Sequence, residues 1–156
     1  MGKEIERKFL IDIKKWQSLS KPEGQLLRQG YLSTDPAKTI RVRLAGQKGF
    51  LTIKGSTTGA TRPEYEYEIP AGEAVELLDN FAGSELSKIR YNVTLGSKVW
   101  EVDEFLGLNA GLFLAEVELE CEDEAFEQPE WVTTEVTDDA RYYNANLTKT
   151  PYKHWS

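Results

Sequence analysis

Apolar and polar residues alternate with a period of two along most of this chain. That is the pattern of strands with one face buried and the other not. Eight such segments fall near residues 2–11, 25–34, 38–45, 49–55, 61–69, 86–95, 98–105 and 112–121. Gly46 to Gly49 reads as a hairpin loop, and Gly96-Ser97 as a two-residue hairpin turn. Three segments switch to helical spacing. Residues 13–20 are short and amphipathic. Residues 71–82 follow Pro70 and space Val75, Leu77, Leu78 and Phe81 along one face. Residues 138–149 follow Thr137 as an N-cap, with Asp138 and Asp139 in the first turn, where the helix dipole favours them. No repeat, linker or low-complexity stretch interrupts the pattern, so residues 1–156 read as one domain. The predicted fold is mainly β (α+β), largely antiparallel, with helices outside. Eight strands form a sandwich or a closed barrel. Closure removes exposed edges, but periodicity alone does not choose.

The chemistry enters through the polar positions. Side chains at i and i+2 share a strand face. Glu4, Glu6 and Lys8 share one, as do Arg41 and Arg43, Thr52 and Lys54, and Arg62, Glu64 and Glu66. Further faces carry Lys88 with Arg90, Glu101 with Asp103, and Glu116 with Glu118 and Glu120. The positions between them are mostly apolar, from Ile5 and Phe9 through Val42, Leu51, Tyr65 and Tyr67 to Val102, Val117 and Leu119, with Arg7 the exception. For any one strand, a solvated outer face explains this alternation. The set is harder to explain so, because like charges stack two residues apart, where a solubilising surface mixes signs. The sharper reading is that these faces line one lumen, rich in both cations and carboxylates. A polyphosphate with a bound divalent cation needs both. Arg and Lys match phosphate oxygens, and carboxylates hold hard divalent cations.

Composition narrows the partners. The net charge of −7 opposes approach to nucleic acid or an anionic membrane. Cys121 is the one cysteine, which excludes an internal disulfide and zinc-type spacing. The N-terminus has no apolar signal region, and Glu6 stands where a myristoylation motif needs Ser or Thr. No apolar run reaches transmembrane length. The expectation is a cytoplasmic, soluble protein that binds neither nucleic acid nor membrane.

In order along the chain stand Glu4-Ile5-Glu6-Arg7-Lys8, Arg41-x-Arg43, Lys54, Arg62-x-Glu64-x-Glu66, Lys88-x-Arg90, Glu101-x-Asp103 and Glu116-x-Glu118. The tail has Glu135-Val136-Thr137, then Arg141-Tyr142, Asn144 and Leu147. Together these resemble the CYTH family, also called triphosphate tunnel metalloenzymes, in its short bacterial form, over about residues 3–148. The resemblance implies an eight-stranded antiparallel barrel around a charged tunnel. It implies that Lys8, Arg41, Arg43, Lys54, Arg62, Lys88 and Arg90 clamp a triphosphate. Glu4, Glu6, Glu116 and Glu118 would hold Mg²⁺ or Mn²⁺, with Asp103 and Glu101 as further candidates. Glu64 and Glu66 stay open between metal ligand and salt-bridge partner.

No Ser–His nucleophile accompanies this set. His154, the one histidine, lies near the C-terminus and reads as exposed. Hydrolysis by water attack on a terminal phosphoryl group is therefore expected, since phosphoryl transfer needs mainly positioning and charge neutralisation. If one metal serves, a side-chain base is needed, and Lys8, with its proton withdrawn by neighbouring cations, is a candidate. Tyr31 lies on the second strand, which is expected to pair beside the first, so that its phenol could share a proton with Lys8; the alternative is a tyrosine that packs in the barrel wall. Trp16, Trp100 and Trp131 read as core, and Cys121, out of phase with Glu118 and Glu120, as a small buried hydrophobe. Arg141 either reaches the tunnel or caps the last helix. The short chain favours inorganic tripolyphosphate. The alternatives are thiamine triphosphatase, with Trp16, Trp131 or Tyr143 as an aromatic surface, a class IV-type adenylate cyclase, and a non-catalytic polyphosphate or nucleotide sensor. Homodimers are compatible with the family, although no interface stripe stands out.

Overall fold

The computed structural model describes residues 2–155. Eight antiparallel strands close into a barrel: β1 (Lys3–Ile11), β2 (Gln25–Ser33), β3 (Thr39–Ala45), β4 (Lys48–Lys54), β5 (Thr61–Pro70), β6 (Ser84–Leu95), β7 (Lys98–Phe105) and β8 (Phe113–Glu118). The order around the wall is β5-β4-β3-β2-β6-β7-β8-β1, and β5 pairs with β1 to close it. All eight sit where the alternation places them. Closure decides between barrel and sandwich. A ninth strand, β9 (Val132–Glu135), adds to β1 beyond the barrel. It has no counterpart in the sequence reading.

Two turns follow their glycines. Leu95 pairs with Lys98 across Gly96-Ser97, and Ala45 pairs with Lys48 across Gly46-Gln47. Gly96 and Gly46 have φ of 61° and 60°, which only glycine adopts without strain. The β3–β4 loop is thus tighter than Gly46 to Gly49, and Gly49 belongs to β4.

Outside the barrel, α1 (Ile13–Gln17) and α2 (Ala71–Phe81) cover separate walls. Asp12 caps α1 by accepting from the Lys15 amide. Trp16 then packs edge-to-face on Trp131 and Tyr91, within a core that includes Phe9, Trp100, Val102 and Val117. The helix α2 seats Ala74 and Leu78 on Val42. The approach is close: a Cβ added at Gly49 would lie 2.6 Å from Ala74 Cβ.

Four expectations are corrected here. First, residues 138–149 are not one helix. They form a 3-10 turn, Ala140–Tyr142, then a separate α3 (Asn144–Lys149). Asp139 caps the turn, and Thr137 instead accepts the Lys8 amide on β1. Second, the helices do not all lie outside. Leu147 of α3 packs with Leu86, Phe105 and Leu114. Those three alternate in phase with Lys88, Asp103 and Glu116, so α3 fills the barrel's interior at one end. Third, the outer face is not wholly covered: Ile53, Tyr65 and Tyr67 are exposed. Fourth, Cys121 is exposed, because β8 stops at Glu118 and the chain turns away, with the Glu120 amide bonded to the Glu124 carboxylate. Among the described residues, no helix is long and apolar enough to cross a membrane.

Candidate active site

The inward side chains of the eight strands enclose a cavity of about 260 Å³. From β1 come Glu4, Glu6 and Lys8, and from β2 comes Tyr31. The strands β3, β4 and β5 give Arg41, Arg43, Lys54, Arg62, Glu64 and Glu66. Lys88, Arg90, Glu101, Glu116 and Glu118 complete the ring from β6, β7 and β8. The backbone register explains this gathering: Tyr31 faces Arg41, Lys54 faces Glu64, Arg90 faces Asp103, and Lys8 faces Glu116 across their ladders.

Asp103 is the predicted residue that stands behind the cavity wall. Fully buried, it holds Lys88 Nζ at 2.8 Å and receives Arg90 Nε at 2.8 Å and Nη2 at 2.9 Å. Both oxygens are engaged, so the structure makes it an anchor for two cations rather than a free metal ligand. Burial works against its ionised form, but Arg90 and Lys88 outweigh burial and hold its carboxyl below the ordinary range. Glu101 reaches Arg90 Nη1 at 3.2 Å and is half-buried at the cavity edge.

The cations are held but not spent. Lys54 contacts Glu4 at 2.6 Å, with Glu64 at 3.9 Å. Glu66 accepts from Thr52 at 3.0 Å and lies 3.4 Å from Arg43 and 3.7 Å from Arg41. In this structure Glu66 thus stands as an ion-pair neighbour of both arginines. Arg62 is fixed by neutral acceptors, the Gly55 carbonyl and the Thr39 hydroxyl. Among the described residues, Arg41 Nε and Arg43 Nε are buried donors with no hydrogen-bond partner, and Glu64 Oε2 is a buried acceptor without one. Buried groups of this kind are uncommon, and these three belong to residues that line the cavity, where water or a ligand can complete them. Burial, then the charges of Arg41 and Arg90, lower the Arg43 guanidinium to about 10.

The carboxylates carry the opposite strain. Burial pushes Glu4 up to about 7, Lys54 opposing and Glu64 adding to the rise. Burial and then the Glu116 charge push Glu6 well above the carboxylate range. Burial also acts on Glu116, but Lys8 and a hydrogen bond from Glu6 hold it below. Burial and the neighbouring charges therefore set the two carboxyls apart, Glu6 favouring its neutral form and Glu116 its ionised form.

Two further expectations change. The strand β2 pairs with β3 and β6, not with β1. The Tyr31 hydroxyl accepts from Gln29 Nε2 at 3.1 Å, whereas Lys8 Nζ donates to the Tyr142 carbonyl at 3.2 Å. A Lys8–Tyr31 proton-sharing pair is not formed. Lys8 Nζ thus stands as a hydrogen-bond donor at the cavity wall. Arg141 is exposed and pairs with Asp139 outside the cavity, and His154 is exposed as expected. Arg7 has its reason too: it binds Glu135 of β9 on the outer side, Nε to Oε2 at 2.8 Å. Tyr143, a candidate aromatic surface from sequence, does line the cavity, whereas Thr137, Asn144 and Asn146 line it without having been singled out for that role. Being uncharged or outside the strands, they carry no paired-charge signal.

A closed antiparallel barrel whose lumen combines guanidinium, ammonium and carboxylate groups is the architecture of a protein that handles a small polyanion. Comparison with known proteins gives the family. The CYTH domain model matches residues 2–151, and the chain belongs to the CYTH family. An inorganic triphosphatase of Acetivibrio thermocellus is 50% identical over 156 residues, covering 99% of each chain. An inorganic triphosphatase of Nitrosomonas europaea is 40% identical over 153 residues, covering 92% of this chain and 95% of its own. The crystal structure of the inorganic triphosphatase NE1496 superposes with a TM-score of 0.63 at 36% identity, over 93% of this chain and 97% of that one.

Membership of this family implies a divalent metal. Among the described residues, no three acidic, histidine or cysteine side chains form a ready-made cage. That agrees with the chemistry of Mg²⁺, which takes one or two carboxylates and completes its shell with water and substrate phosphates. Glu6 and Glu116, which line the cavity side by side on paired strands, offer such a partial donor set, with negative charge that a cation would neutralise.

Proposed function

We propose that this chain hydrolyses inorganic tripolyphosphate to pyrophosphate and phosphate. The observation that carries the reading is the pair of unpartnered buried donors, Arg41 Nε and Arg43 Nε, in a cavity ringed by five more cations. Only a ligand with many anionic oxygens uses all of them. Lys8, Arg41, Arg43, Lys54, Arg62, Lys88 and Arg90 bind and orient the triphosphate. Negative charge builds on the transferring phosphoryl oxygens, and fixed donors stabilise it without reorganising. Glu4, Glu6, Glu116 and Glu118 are the proposed holders of Mg²⁺ or Mn²⁺. Such a cation, when bound, polarises phosphate oxygens and makes water a better nucleophile. The chain's own residues keep the anion in place and exclude bulk water around it. The proposal includes a cytoplasmic site of action and no nucleic-acid or membrane partner.

The aromatic residues support a plain inorganic substrate. Trp16 and Trp131 are 2% and 6% exposed, inside the outer core, and cannot receive a thiazolium or a base. Tyr143 is the one of the three considered that lines the cavity. The test is a substrate panel of tripolyphosphate, thiamine triphosphate, ATP and pyrophosphate with Mg²⁺ or Mn²⁺. Preferred turnover of tripolyphosphate is expected. Preference for thiamine triphosphate, or cyclic AMP formed from ATP, would replace the substrate. Binding without turnover would make the protein a sensor.

The metal assignment has its own check. A Glu4→Gln, Glu6→Gln double variant is expected to lose more than about tenfold in divalent-cation affinity while its thermal unfolding stays cooperative. An unchanged calorimetric titration would place the cation elsewhere.

A further inference from the structure

The C-terminal segment enters the cavity and touches two of its lysines. At Tyr142 the backbone carbonyl accepts from Lys8 Nζ at 3.2 Å, and the Tyr143 ring lies beneath the same ammonium, 5.5 Å away. Two residues on, Asn144 Oδ1 receives Lys88 Nζ at 2.7 Å and Gln29 Nε2 at 3.1 Å. An ammonium has donors only, so the amide face toward Lys88 must be the oxygen. Gln29 is fully buried and also donates to the Tyr31 hydroxyl. Lys88 is 1% exposed, and burial works against its charge, lowering it to about 8 although Asp103 opposes the fall.

Count the bonds at Lys88. It has three N–H groups. Asp103 takes one and Asn144 a second. One donor remains, and its direction is fixed by the other two. Without Asn144 the ammonium would keep a single anchor and rotate about it. We propose that Asn144 is a positioning residue for triphosphate hydrolysis, holding Lys88 so that its remaining N–H points at the substrate. This rests on the functional reading above. It also gives α3 a role beyond filling the barrel end, since seating that helix and aiming the clamp become one event.

Three variants test it. Asn144→Leu keeps the shape and removes the acceptor. It is expected to lower kcat/KM for tripolyphosphate by about 10- to 100-fold, the scale of a hydrogen bond to a charged group. Asn144→Asp keeps an acceptor toward Lys88 and is expected to recover most of that loss. If Asn144 instead donates directly to phosphate, Asp will be as poor as Leu or worse, and the proposal falls. In the Lys88→Ala background, Asn144→Leu is expected to cost less than threefold more, because the two act as one unit. A full additive loss would overturn the proposal. Thermal unfolding of each variant separates these effects from misfolding. Calorimetric binding of tripolyphosphate, read on the same set, keeps the functional question apart. If the wild type binds but does not turn over, hydrolysis is refuted, and Asn144 is judged by the binding ratios alone.

Discussion

Arg43→Ala is expected to slow tripolyphosphate turnover by about 100- to 1000-fold, the cost of losing one preorganised donor in a site that stabilises developing charge. The reason lies in its surroundings. Arg43 sits on β3 between Gln29 of β2 and Phe50 of β4. Its Nη2 reaches Glu66 at 3.4 Å, its Nε has no partner, and Arg41 and Arg90 crowd its charge. A group so placed gains most when an anion arrives. Arg43→Lys should restore only part of the rate, because an ammonium lacks the planar fork that meets two phosphate oxygens. Folding should be little affected. A loss of less than threefold in kcat/KM would mean that Arg43 does not meet the substrate.

Asp103→Ala should act on stability instead. It removes the shared counter-ion of Lys88 and Arg90, both deeply set in the wall. Breaking a buried ion pair from one side costs about 3–5 kcal/mol, here because Lys88 stays buried without a carboxylate, while Arg90 keeps Glu101 and Glu116. For a domain of this size that corresponds to a fall in Tm of roughly 6–20 °C. Removing a cation as well should cost less than the sum, so Asp103→Ala with Lys88→Met should melt higher than Asp103→Ala alone. A Tm within about 2 °C of wild type would show that Asp103 is not the anchor described. This also separates Asp103 from the carboxylates proposed to hold metal, whose loss should relieve repulsion rather than expose it.

The barrel strands were legible because a period of two survives in all eight. The lumen was legible because Arg41 with Arg43, or Glu4 with Glu6, repeats one charge on one face where a solvated surface would mix them. What periodicity lacks is neighbour order. It could not say that β1 lies between β5 and β8, so Tyr31 was expected beside Lys8 when Gln29 and Arg41 are its true neighbours. Strand ends were equally hidden. Leu119 keeps the alternation going past Glu118, yet the chain turns there and leaves Cys121 in solvent. Four residues with three exposed give β9 too little pattern to be seen. Asn144 carries neither charge nor apolar weight. Its importance arises only once α3 brings it to Lys88. Asp103 was read with the right face and the wrong task, since sequence shows that a carboxylate is present but not that two cations have claimed it.

The measurement that bears most directly on the central claim is product release from tripolyphosphate by metal-stripped protein, before and after adding back Mg²⁺ or Mn²⁺. No turnover is expected in chelator and, on adding metal, pyrophosphate and phosphate released in equal amounts. Turnover that persists undiminished in chelator, or its absence with every metal tried, would contradict the claim.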